Sequence, residues 1–175
     1  MVPARAAYML PGNPIRPKDY AFVKKDGLFH LFYIRRNMTL PAEQTQSDFG
    51  HAISADLYHW SQLPPVLAVD SVASPWDGQH VWAPTIVQQD SLYWMFYTGV
   101  GRDSTGVGLH QAIGVATSTD LMTWQRVGTG PVFDASRTSW GWLQPDSDLP
   151  AFRDPFVMPD PAVPGGWLMY YTASY

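Results

Sequence analysis

The chain has 175 residues, 46% apolar and 15% charged, with a formal net charge of −4 and no cysteine. That apolar content builds a sizeable core and excludes a disordered chain. The missing cysteines exclude disulfides, thiolate metal sites and a Cys nucleophile. Without a basic run there is no footprint for nucleic acid, and no stretch approaches the roughly 18 apolar residues needed to cross a bilayer.

Residues 1–20, MVPARAAYMLPGNPIRPKDY, lack an apolar segment of signal-peptide length. The compartment is therefore unassigned, with the cytoplasm as the default. Four short strands are expected next, near 20–24, 28–35, 49–55 and 62–68. They are rich in aromatic and β-branched residues and bounded by Gly, Pro, Asp and Asn. In the second, Phe29, Leu31 and Tyr33 alternate with His30, Phe32 and Ile34, so both faces are apolar, as in a sheet packed between neighbours. Glu43, the sole glutamate among 15 acidic residues, falls in the polar segment 42–48 and reads as solvated surface.

Four more strands are expected near 82–88, 92–99, 111–118 and 123–133, and two near 155–159 and 167–174. These elements repeat. HAISADLYHW at 51–60 matches VATSTDLMTW at 115–124, aligning Ala52, Ser54, Asp56, Leu57 and Trp60 with Ala116, Ser118, Asp120, Leu121 and Trp124, each 64 residues on. HLFYIRR at 30–36 matches WMFYTGV at 94–100, and LMYYTAS at 168–174 is a third copy. Asp56 and Asp120 are expected to cap a turn, and Trp60 and Trp124 to pack between sheets. The segment 134–149, with Trp140 and Trp142, is a long connection suited to shaping a site.

No long 3.6-residue period occurs, so the chain reads as all-β. Four-stranded sheets repeating at this spacing are propeller blades. Blade one spans about 19–68, blade two about 82–133, and a third begins at about 153–175. Residues 1–175 thus form one partial β-propeller domain of about 2.5 blades. Its last strand is an open apolar edge and a route to self-association.

The first strand of each blade lines a propeller channel, and aligning the three puts Asp19, Ala83 and Asp154 at one level. Paired carboxylates are what glycosidic cleavage needs. The plainer reading makes both aspartates turn residues at strand starts, and the residues alone leave both open. Trp76 and Trp82 are candidates for stacking on a sugar and His80 for hydrogen bonding at the channel rim, against ordinary loop packing. The five histidines show no metal-binding pair.

Phe152-Arg153-Asp154-Pro155, Val81-Trp82-Ala83-Pro84 and the run from Asp19 through Asp26-Gly27 to His30-Leu31-Phe32-Tyr33 resemble the clan of glycoside hydrolase families 43, 32 and 68. Gly50-His51-Ala52 with Ser54, Asp56-Leu57 and His59-Trp60 is similar to family 32. Trp-Ala-Pro tilts the resemblance toward family 43. The resemblance covers about residues 14–175 and implies a five-bladed β-propeller that hydrolyses O-glycosidic bonds of arabinose-, xylose- or fructose-containing oligo- or polysaccharides. It implies that Asp19 is the base or nucleophile and that Asp154, in Arg-Asp-Pro, tunes the acid and stabilises the transition state. Arg153 would meet a carboxylate or a sugar hydroxyl and depress the Asp154 pKa. The clan's general acid is a glutamate on a later blade, so the chain alone is expected to be inactive. No cofactor is implied, apart from a calcium that some complete propellers hold. The alternative is a non-catalytic carbohydrate-binding or self-assembling half-propeller.

Overall fold

A computed structural model describes residues 14–70, 72, 75–102, 109–137 and 151–174. Ten strands make three antiparallel sheets. The first contains β1 (Ile15–Lys25), β2 (Leu28–Asn37), β3 (Phe49–Ser54) and β4 (Ser61–Val66) in sequential order. The second repeats this with β5 (His80–Gln89), β6 (Leu92–Arg102), β7 (Leu109–Ser118) and β8 (Gln125–Arg126). The third pairs β9 (Phe152–Pro159) with β10 (Trp167–Ala173). Among the described residues the only helical pieces are three-residue 3-10 turns, and no helix is long and apolar enough to cross a membrane.

The fold is the all-β propeller arrangement expected from the repeat. β1 packs beside β5, and β5 beside β9, so the first strands of the three sheets are neighbours. One correction concerns the fourth strand of the second sheet. It was expected to run over 123–133, but only Gln125–Arg126 pair with β7 before the chain leaves the sheet, returning in a single bridge between Ile113 and Phe133. Gly128 with φ +76, Gly130 and Pro131 break the ladder there.

Two-faced strands put cores between sheets. Phe32, Ile34 and Phe49 of the first sheet meet Val81, Met95, Tyr97, Ala116 and Leu121 of the second, all fully buried. Burying one such side chain contributes roughly 1.5–3 kcal/mol. Trp124 lays its ring edge-on to Phe32 at 5.7 Å and so packs between sheets. Trp60 instead packs beside Phe22 of its own sheet, at 6.2 Å. A second inter-sheet core joins Ile113 and Ala135 to Phe152, with Phe133 and Tyr171 around it.

The repeated turn has the same wiring in both copies. Ser54 Oγ accepts the Leu57 amide at 2.8 Å while Asp56 Oδ1 accepts those of Tyr58 and His59, both at 2.8 Å. Ser118 and Asp120 do the same for Leu121, Met122 and Thr123. These donated hydrogen bonds hold both carboxyls below their ordinary pKa. Leu57 and Leu121 turn through left-handed φ values of 65° and 70°. Here the aspartates build turns.

Candidate functional site

The first strands are not regular. Asp19, Ala83 and Asp154 adopt φ values of 51°, 46° and 58°, each beside a register shift. In β9 the ladder passes from the Arg153–Thr172 pair to the Phe156–Tyr170 pair, so two residues, Asp154 and Pro155, oppose one. β5 does likewise at Ala83 and Pro84, between the Trp82–Thr98 and Thr85–Phe96 pairs. This is a β-bulge, which bends a strand and re-aims a side chain. Left-handed backbone outside glycine costs on the order of 1–3 kcal/mol and concentrates at functional sites. Asp tolerates it better than most residues. Three positions aligned by sequence thus share one unusual backbone.

The bulges open onto one cleft of about 590 Å³, lined by Lys18, Asp19, Tyr20, Gln46, Trp82, Ala83, Pro84, Thr85, Arg153, Asp154 and Pro155. That volume suits a small ligand. Of the residues singled out from sequence, Asp19, Trp82, Arg153 and Asp154 are brought together here. Each aspartate has a cation beside it on the chain. Lys18 Nζ stands 3.7 Å from Asp19 Oδ2, and Arg153 Nε 3.5 Å from Asp154 Oδ2. Both pairs are half-exposed and contribute little to stability.

Arg153 pulls the Asp154 carboxyl down as expected, but the net shift is upward. Burial pushes the Asp154 carboxyl above its ordinary pKa, and Asp19 adds to the rise, while Arg153 and Lys18 pull the other way without reversing it. Half of the Asp154 side chain remains accessible, so solvent tempers these influences.

Two expected site residues lie elsewhere. His80 is buried rather than on the rim, and its ring stacks on Trp82 at 5.3 Å and 16°, backing the indole instead of facing the cleft. Trp76 sits in the inter-sheet core against Tyr97. Gly99 and Gly114 leave the space its indole fills, since a Cβ at either would overlap it. Trp140, Trp142 and most of the 134–149 segment lie outside the described residues, as does the Glu43 side chain, whose backbone forms a 3-10 turn at Ala42–Gln44.

Sequence reasoning missed Asp77, which is fully buried in the 3-10 turn Pro75–Asp77 before β5. Its Oδ2 accepts hydrogen bonds from Tyr97 Oη and Arg126 Nε, both at 2.8 Å. A second Arg126 nitrogen donates to Ala68 O at 2.9 Å, tying the connection between the sheets to this buried pair. The Trp-Asp-Gly spelling at 76–78 signalled only a turn. Among the described residues no three His, Asp or Glu side chains stand close enough to share a metal ion.

Comparison with known proteins bears on the family and the fold. The family model described as "Glycosyl hydrolases family 32 N-terminal domain" matches residues 20–175, beginning one residue after Asp19. A levanase of Bacillus sp. (strain L7) is 31% identical over 165 residues, covering 85% of this chain and 15% of that protein. Of solved structures, a Bombyx mori GH32 beta-fructofuranosidase superposes with a TM-score of 0.60 at 20% identity, over 84% of this chain and 28% of its own. A family 117 glycoside hydrolase of Zobellia galactanivorans gives 0.69 at 17% identity, over 93% and 49%. At such identities these likenesses speak for the fold. The chain spans 15–36% of the length of the curated relatives it matches. The tilt toward family 43 rested on three residues at a bulge, and the match along 20–175 is to family 32.

Proposed function

Because this chain belongs to the glycosyl hydrolases family 32, as its N-terminal domain, we propose that its cleft forms part of a site that cleaves the O-glycosidic bonds of fructose-containing carbohydrates. The observation that carries the reading is the convergence of Asp19 and Asp154, from strands of different sheets and in matching left-handed bulges, on one cleft. Two carboxylates and an aromatic wall suit a reaction that develops positive charge on a sugar ring.

In this reading Asp19 acts at the anomeric carbon, as nucleophile or as base for a water. Asp154 remains ionised and stabilises the developing oxocarbenium charge, with Arg153 and Lys18 favouring its charged form. Trp82, braced from behind by His80, forms a wall for the sugar. The proton for the leaving oxygen is assigned to neither aspartate.

The test is release of fructose from sucrose, inulin and levan by the protein that carries this chain, with arabinosides and xylosides as controls. Asp19→Asn and Asp154→Asn should each lower kcat by about 10²–10⁴-fold, and full turnover in either variant would overturn its assigned role. Release of pentose instead of fructose would overturn the substrate class and leave the glycosidase reading standing. A second reading is sugar binding without turnover, for which the aromatic wall at Trp82 in the cleft speaks. It predicts ligand-dependent shifts of the Trp82 indole signal with no fructose released.

A further inference from the structure

The segment 152–155 is held from outside its own sheet. At the β9 bulge, Asp154 and Pro155 drop out of the ladder with β10. A backbone amide that leaves a ladder near a core needs another partner, and an unmet one costs about 1–3 kcal/mol. Three side chains of the second sheet, one from each of its first three strands, meet this stretch of main chain. Thr98 Oγ1 of β6 accepts the Asp154 amide at 2.9 Å. Thr85 Oγ1 of β5 donates to Pro155 O at 2.7 Å. Gln111 Oε1 of β7 accepts the Phe152 amide at 3.1 Å. Thr98 and Gln111 are fully buried. The contacts fall at 152, 154 and 155 and bracket the Arg153–Asp154 pair.

The repeat supplies an internal comparison. At the 64-residue offset Thr98 corresponds to Ile34 and Thr85 to Ala21. Neither has a hydroxyl. The boundary between the first and second sheets is joined instead main chain to main chain, by the Val81 amide and Gln46 O at 3.3 Å. The bulge it faces carries Ala83, which has no carboxyl to aim. Hydroxyls therefore occur at the boundary where the bulged residue is an aspartate, and aliphatic side chains where it is an alanine. A purely structural need to support a bulge would apply equally at both.

We propose that Thr98, assisted by Thr85 and Gln111, is a positioning residue for Asp154: by fixing the left-handed backbone of the bulge from the neighbouring sheet, it aims the Asp154 carboxyl into the cleft beside Asp19. The inference rests on the reading of Asp154 as a site residue. Thr98 acts through the Asp154 amide and touches no reacting atom. The charged groups that share the cleft with the Asp154 carboxyl are Asp19, Lys18 and Arg153.

The test needs no substrate. In the chain labelled with ¹³C and ¹⁵N, the Asp154 carboxyl is titrated by NMR and the exchange rate of its amide is measured. Thr98→Val keeps the shape and removes the hydroxyl. It should speed exchange of the Asp154 amide by about tenfold, the cost of one lost hydrogen bond. It should also move the carboxyl titration midpoint down toward the ordinary range, as the side chain swings into solvent away from Asp19. Thr98→Ser should restore both. Ile113→Val, which trims the adjoining core, should lower Tm and leave the midpoint unchanged. An unchanged midpoint in Thr98→Val, or a Thr98→Ser variant behaving like Thr98→Val, overturns the proposal. If Thr98→Val does not fold, Thr85→Val is read the same way: a downward midpoint supports the clamp and an unchanged one overturns it. Since fructose release plays no part, failure of the fructosidase reading would show in the activity assay and not here.

Discussion

Acidification below about pH 6.5 should destabilise this chain through a buried histidine pair. His30 Nδ1 and His51 Nε2 are 2.9 Å apart in the interior, so one ring donates a proton and the other accepts it. Protonating both rings would set donor against donor and bury charge. Burial, and then the neighbouring His30, pull His51 down from 6.5 to about 4, and burial followed by Lys25 lowers His30. With the folded pKa below the unfolded one, the unfolded chain binds more protons in that window. The pair's contribution is complete above about pH 6.5 and is lost as pH falls toward 4. For His51 alone, a displacement of about 2.5 pH units corresponds to about 3.4 kcal/mol in full, of which about 2 kcal/mol is lost between pH 7 and pH 5. A domain holding only about 5–15 kcal/mol registers such a loss easily. Asp48 and Asp154, whose carboxyls are raised, oppose this drift near its acid end. Urea unfolding followed by tryptophan fluorescence at half-unit pH steps gives the slope. The double variant His30→Gln/His51→Phe keeps a flat ring against Phe32, on which His51 stacks at 4.3 Å. It should flatten the curve between pH 6.5 and 4.5. An equally steep loss in the double variant would refute the assignment.

Asp77→Asn keeps an acceptor for Tyr97 and leaves the Arg126 guanidinium without its buried counter-charge. It should cost about 3–5 kcal/mol in urea denaturation, and a loss under 1 kcal/mol would show that the pair is not buried in solution. Gly99→Ala drives a methyl into the Trp76 indole and to 2.6 Å from Asp77 Cβ. Overpacking of that kind costs about 1–3 kcal/mol, at about 2–4 °C of Tm per kcal/mol for a chain of this size, and thermal melting checks it.

Much of the fold was legible because the repeat is written in core residues. Tyr33 with Tyr97 and Ala52 with Ala116 repeat at 64 residues because each sheet must bury the same side chains. The equivalence of Asp19, Ala83 and Asp154 was legible too. Their left-handed backbone was not, since an alanine at φ 46° has no spelling of its own. Trp76 was misplaced because aromatic residues serve sugar faces and cores alike. The missing clue was the pair of glycines, Gly99 and Gly114, which vacate the volume of its indole on two neighbouring strands. His80 was misplaced for a related reason: a histidine two residues before Trp82 lies on the same side of a strand, and stacking took it inward. Asp77 went unread because a buried carboxylate is recognised by its partners, and Tyr97 and Arg126 are 20 and 49 residues away. The pull of Arg153 on Asp154 was read correctly, but the net rise was not foreseen, because sequence adjacency shows neither the burial of that carboxyl nor its nearness to Asp19.

The departures from the repeat locate chemistry more sharply than the repeat itself. Positions that keep the same residue class in both full sheets, such as Ser54 with Ser118 and Asp56 with Asp120, make turns, and their wiring is duplicated down to the donor atoms. Three places where the copies differ in polarity, Asp19 and Asp154 against Ala83, Thr85 against Ala21 and Thr98 against Ile34, lie at the cleft or at the sheet boundary beside it. Alanine adopts a left-handed backbone less readily than aspartate. Retaining it with alanine at 83 fits a scaffold role, bending the first strand toward the channel. A carboxylate adds a desolvation cost that the fold does not need, and Asp154 bears one alongside Asp19. The bulge itself accommodates aspartate or alanine, so the proposed role of Asp19 and Asp154 stands on the cleft they share.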